Sequence, residues 1–346
     1  MKNYVVIGLI IILVLAGIVV YENYPTKKSI YVVSMTADEM SASLKNGTIA
    51  GFIIWEPYPS KAVSEGYGRR LVNSKDIWEN HPSCDLAISE DLKDEDMIKA
   101  LVWTQIKGTR FINNHSNQEK VLQYGQEFSG LDRTIVLAAI NNTIYTEFPD
   151  INQTKKGIEI LYKAGAFKNT MASMGYDNVD EFLSNLIIDK YYKEVKKMLE
   201  EDPGWTPPTV NGSLRLGYTE NNIHHLAMYI AQKEGYFERV GLIPGKNVQF
   251  TGYRSGRALT DAFKHREVDA ADLGTIVIIR YSINENGRIN IVNGVNTGGS
   301  SLVVRADSDI KSLDDLNGHI IATTGFVTCQ DTIMRKMFEG FEISSI

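Results

Sequence analysis

The first run of the chain, Tyr4 to Tyr21 (YVVIGLIIILVLAGIVVY), holds no charged residue. Crossing the hydrocarbon core of a bilayer takes about 18 to 20 such residues, so the pattern predicts a membrane helix. Lys2 precedes it, no A-x-A cleavage pattern follows, and Ile18 stands where a lipoprotein carries cysteine. Residues 1–25 therefore read as an uncleaved single-pass anchor to the cell membrane, with a cleaved signal peptide as the alternative. Either one places the remainder outside the cytoplasm, although Lys27 and Lys28 on the far flank run against the positive-inside bias.

Beyond the anchor the pattern becomes that of an α/β protein. Ile30 to Ser34 is β-branched and predicts a strand, and Ala37 to Lys45 predicts a helix with Met40 and Leu44 on one face. Gly47 ends the helix. Thr48 to Trp55 is a continuous apolar run of the kind found in strands buried on both faces, closed by Glu56, Pro57 and Pro59. Ala258 to Ile279 repeats this unit of helix, polar turn and buried strand, which suggests two lobes of related build. Residues 88–200 read as mostly helical. The segment 201–213 carries Pro203, Pro207 and Pro208 and predicts a linker. After it come strand patterns at LRLGY, NVQFTGY, ADLGTIVI, INIVNGV, SLVVRA and HIIATTG, and a final helix from about Thr328 to Glu339. Strands alternating with helices predict mostly parallel sheets with helices on their faces.

Composition removes several functions. The formal charge of -6, with no basic block, excludes a nucleic-acid footprint. Two cysteines, Cys84 and Cys329, are too few for a disulfide framework or a paired-cysteine zinc site and read as buried structural residues. His224 and His225 diverge on a helix instead of converging on a metal, although one of them can still face a cleft. The P-loop ending and the GxSxG elbow are both missing, so neither catalytic residues nor a cofactor are expected.

The segments LRLGY, IAQKEGYFERVGL, EVDAADLGT and SLVVRADSDIKSLDDLNGHIIATTG, in residues 214–346, resemble the N-terminal portion of the nitrate/sulfonate/bicarbonate (taurine-like) substrate-binding proteins. Residues 30–200 resemble the C-terminal portion, through EMSASLKNGTIAGFIIWEPYPSKAVSEGYGRRLV. The resemblance implies a two-lobed type II periplasmic-binding-protein fold and a role in an ABC importer, delivering a small anion to permease and ATPase subunits. The two portions stand in reversed order. Either a circular permutation or a truncated tandem accounts for that, and permutation requires the strands near Ile30 and Ile346 to be neighbours.

Ligands of open α/β sheets bind beyond the carboxyl ends of strands. The candidates are therefore Tyr218, Thr219 and Glu220 after the first strand of the second portion, Ser255 and Arg257 after the next, and Gly274 and Thr275 after ADL. Thr323, Thr324 and Gly325 precede the last helix, where free N–H groups favour an anion and Asp331 partly neutralises the dipole. Trp55 and Glu56 complete the set from the first portion. Two other functions fit the same pattern: an enzyme like the thiamine-pyrimidine synthase, whose cysteine-rich iron motif is missing here, and a membrane-tethered sensor.

Overall fold

The structure, a computed structural model, describes residues 27–346, and the predicted anchor lies outside them. Among the described residues no helix is long and apolar enough to cross a membrane.

Among the described residues twelve strands form two sheets. The strands are β1 (Ser29–Ser34), β2 (Gly51–Trp55), β3 (Gly68–Asn73), β4 (Pro82–Ser89), β5 (Thr143–Tyr145), β6 (Leu214–Thr219), β7 (Val248–Tyr253), β8 (Ala270–Gly274), β9 (Ile289–Gly298), β10 (Ser300–Arg305), β11 (Ile320–Thr323) and β12 (Glu342–Ser345). The first sheet has the order β12-β1-β11-β2-β10-β3 and the second β5-β9-β4-β8-β6-β7. Each sheet draws strands from both portions of the chain, so neither portion makes a lobe alone.

The sheets are mixed, which corrects the expectation of mostly parallel ones. In the first sheet β12, β1, β11 and β2 run parallel, while β10 is antiparallel to β2 and β3. In the second, β7, β6 and β8 run parallel, while β4 opposes both β8 and β9, and β5 opposes β9. The reason is the path between lobes. β9 passes directly into β10 through Gly298 and Gly299, so β10 enters its sheet from the end facing the other lobe, where β1, β2 and β11 finish, and must run against them. The other passage, from β3 to β4, runs beside it. The Ser74 hydroxyl accepts from the backbone N–H of Ser300 (3.3 Å) and lies 2.8 Å from Nε2 of His81, and the Thr297 hydroxyl donates to the His81 carbonyl (2.7 Å).

The predicted helix near the start is Ala37–Asn46, capped by Thr36 with Glu39 reaching back and closed by Gly47 at φ +78°. Met40 and Leu44 are buried as expected. The run Thr275–Glu285 is a helix, not the continuation of β8 that its apolar character suggested. It is buried on nearly every side, and such a run has no alternation by which to tell strand from helix. The predicted linker is packed down: the Trp205 carbonyl accepts from the Trp103 indole (2.9 Å) and Val210 N–H donates to the Val240 carbonyl (2.9 Å). β1 and β12 lie side by side in parallel, Ser29 opposite Glu342 and Val32 opposite Ser345.

Candidate functional site

Between the two sheets lies a cavity of 460 Å³. From the first sheet its wall takes Ser34 at the end of β1, Trp55 at the end of β2, and the turn that follows β11. From the second it takes Thr219 ending β6, Ser255 and Arg257 following β7, and Gly274 ending β8. β4 runs antiparallel to β8, so its first residues, Ser83 and Cys84, arrive at the same place. The cavity thus opens beyond the carboxyl ends of the parallel strands of both lobes, where β-sheet geometry leaves turns free to meet a ligand.

Among the described residues the wall carries two arginines, Arg257 and Arg280, and no carboxylate. Arg257 is exposed and makes no ion pair among the described residues. Arg280 is nearly buried, with its guanidinium fixed by Glu285 (3.0 Å) and the Thr260 hydroxyl (3.4 Å). Burial lowers its pKa, while the Glu285 charge works the other way. A guanidinium so placed keeps its charge at any ordinary pH.

The turn after β11 is shaped by Gly325 at φ +134° and Val327 at φ +57°. Thr328 caps the helix Cys329–Met337 by accepting from the Asp331 N–H. Asp331 is buried and turns away from the cavity, accepting from Val327 N–H (2.8 Å) and Arg335 Nε (3.0 Å). Its charge is therefore met within the helix base. The N–H groups of Gly325 and Phe326, two residues of the wall, donate to no other group of the described residues.

His224 lines the cavity as one of the two histidines was expected to, 3.0 Å from the Gly299 carbonyl through Nε2 and 3.8 Å from Cys84 Sγ through Nδ1. Burial pulls its pKa down to about 3, so the ring is neutral. His225 turns away, its Nδ1 accepting from Thr219 N–H (3.1 Å). Both cysteines are free and buried in the wall, and burial pushes the Cys329 thiol up to about 12, which keeps it protonated.

Of the residues singled out from sequence, the cavity gathers Trp55, Thr219, Ser255 and Arg257, and with them Gly274, Thr324 and Gly325. The remainder lie off its wall. Glu56 is fully buried beneath it, held by Ser60 (2.7 Å), Arg70 (2.7 Å) and Asn142 (2.9 Å). Thr323 is fully buried in β11, and Thr275 donates to Asp85 on a different cavity. Tyr218 and Glu220 face an outer pocket, where the Tyr218 ring packs against Phe128. Arg280 was not anticipated, because its segment read as strand. Read with helical period, Gly274, Val277 and Arg280 fall three apart on one face, and all three line the cavity. Ser34, Ser83 and Asn222 carry no such signal.

Residues 222–345 match the family described as NMT1/THI5 like, and residues 12–124 match the NMT1-like family. Two stretches of the chain, each about a third of its length, thus resemble NMT1-like proteins. This agrees with the resemblance to nitrate/sulfonate/bicarbonate-type substrate-binding proteins read from its motifs. The chain is 24% identical over 87 residues to the nitrate/nitrite binding protein NrtA of Synechocystis sp., a stretch covering 25% of this chain and 20% of that protein. It is 33% identical over 69 residues to the bicarbonate transport ATP-binding protein CmpC of the same organism, covering 20% of this chain and 10% of that protein. The chain thus spans a fifth or less of the length of these curated relatives.

Proposed function

We propose that the protein captures a small oxyanion, of the nitrate, bicarbonate or sulfonate kind, between its lobes and delivers it to an ABC permease and its ATPase. The observation that carries this reading is the charge of the cavity: two arginines and no carboxylate on one wall between two lobes. Arg257 offers a forked donor to an anion's oxygens, and the N–H groups after β11 and the Ser255 and Thr324 hydroxyls supply further donors. The family match and the names of the relatives support the same class of ligand. In this reading the apolar run Tyr4 to Tyr21 tethers the protein to the membrane with the lobes outside the cytoplasm.

A thermal-shift screen of nitrate, bicarbonate, sulfonates and pyrimidines tests it. An anion that raises the melting temperature saturably supports the proposal, and a response to pyrimidines alone removes it. The THI5-like part of the family description motivates one rival, an enzyme acting on a pyrimidine precursor. Product analysis after incubation with the stabilising compound separates the two, since a binding protein returns its ligand unchanged.

A further inference from the structure

A second cavity, of 240 Å³, lies beside the first and shares Ser83 with it. Its chemistry is reversed: Asp85 and Asp150 line it, with neither lysine nor arginine. Asp85, in β4, is 2% exposed, and only its Oδ2 is engaged, by the Thr275 hydroxyl at 2.7 Å. Asn296, in β9, is 3% exposed and spends its amide hydrogens on Ser83 Oγ (3.2 Å) and the Thr297 carbonyl (3.5 Å). Its Oδ1 is left without a donor among the described residues. Several other donors of the wall are committed to protein as well. Thr297 gives its hydroxyl hydrogen to the His81 carbonyl and Thr154 to the Asp150 carbonyl. Both ring nitrogens of His81 are engaged, with Ser74 Oγ and the Pro82 carbonyl. The most deeply buried groups it offers are acceptors, a carboxylate oxygen and an amide carbonyl, while the Asn80 amide and the Thr146 hydroxyl stand nearer its mouth.

We propose that this cavity binds a small monovalent cation, ammonium or an alkali ion with part of its water shell, against Asp85 and Asn296, with Asp150 at the mouth. A bare ion fills little of 240 Å³, while each water takes about 30 Å³, so the ion keeps several waters that bridge to the hydroxyl oxygens. One buried carboxylate suits a single charge, whereas divalent sites draw on several. The cation also reaches the first cavity through Ser83, which accepts from Asn296 by its hydroxyl and from the Cys329 thiol by its carbonyl (3.1 Å).

The test is thermal melting of the full chain at pH 8 in sodium, potassium or ammonium chloride, each against N-methylglucamine chloride of equal ionic strength. A saturable rise with at least one small cation is expected. Asp85→Asn, which keeps the shape and the bond from Thr275, abolishes that rise. Asp150→Asn, at the exposed mouth and still able to cap its helix, raises the half-saturating concentration several-fold. Equal melting temperatures in all four salts overturn the proposal. So does a rise that survives both substitutions.

Discussion

At the scale of single residues, burial sets how stability follows pH. His81, His224 and His225 are buried neutral, with pKa values pulled down to about 4, 3 and 3 by desolvation. Their folded values lie below the free value of 6.5, so the stability they lend is complete above that pH and is lost as pH falls toward 4 and 3. Asp85 behaves in the opposite sense. Burial pushes its carboxyl up to about 7, so its contribution is complete below 3.8 and is lost as pH rises through 7. Keeping it ionised at pH 8 costs of order 4 kcal/mol. In N-methylglucamine buffer, Asp85→Asn should therefore raise the melting temperature relative to the native chain more at pH 8 than at pH 5. An equal gain at both values would show that the carboxyl is not so perturbed. Gly299 is a second sensitive point, at φ +71° with a would-be Cβ 2.2 Å from His224 Nε2. Gly299→Ala should lower unfolding stability in urea by about 2 kcal/mol or more, since it meets both a disfavoured backbone region and a held ring. A loss under 0.5 kcal/mol would mean that the passage between lobes is slacker than it looks.

At the scale of elements, the helix Glu95–Asn113 shows how packing overrides propensity. Gly108 sits in its middle, where alanine would favour the helix by about 1 kcal/mol. Its would-be Cβ, however, lies 2.1 Å from the Ala227 carbonyl of the helix Leu226–Lys233. Gly108→Ala should thus destabilise the fold in urea despite the better helix former, and a stabilised variant would contradict this close approach. The same contrast between local and tertiary signals marks what was legible in the sequence. Ala37–Asn46 could be read because its cap, its two buried residues and its closing glycine are all local. The strands β1, β2, β6, β7, β9, β10 and β11 were legible from β-branched runs. Thr275–Glu285 was not, since its period is hidden when nearly every side is buried, and Arg280 was lost with it. The turns at Thr219, Ser255, Gly274 and Thr324 reach the cavity because a parallel strand's carboxyl end fixes where its turn emerges. Glu56 and Thr275 went astray because sequence gives the end of a strand but not the direction of the next side chain.

At the scale of the whole molecule, both portions of the chain are needed for both sheets. β1 lies between β11 and β12, and Ile346 N–H donates to the Val32 carbonyl at 3.0 Å. The strands at the two ends of the described chain are neighbours, as a permuted order requires, and we propose that order for the chain. Because β1 and β12 are parallel, rejoining them needs a return segment of roughly 16 Å, or about ten flexible residues. A chain running 204–346, such a linker, then 29–203, opened at the exposed pair Pro203 and Gly204, should fold with a melting temperature within a few degrees of the original. Failure to fold would favour the truncated tandem instead. The central claim concerns the cavity between the lobes, and calorimetric titration of the full chain with the anion found by screening tests it most directly. The account predicts one site per chain, weakened by roughly 1.5 to 3 kcal/mol in Arg257→Ala and by less in Thr324→Val. Undiminished affinity in both variants, or no anion binding by the folded native chain, would contradict it.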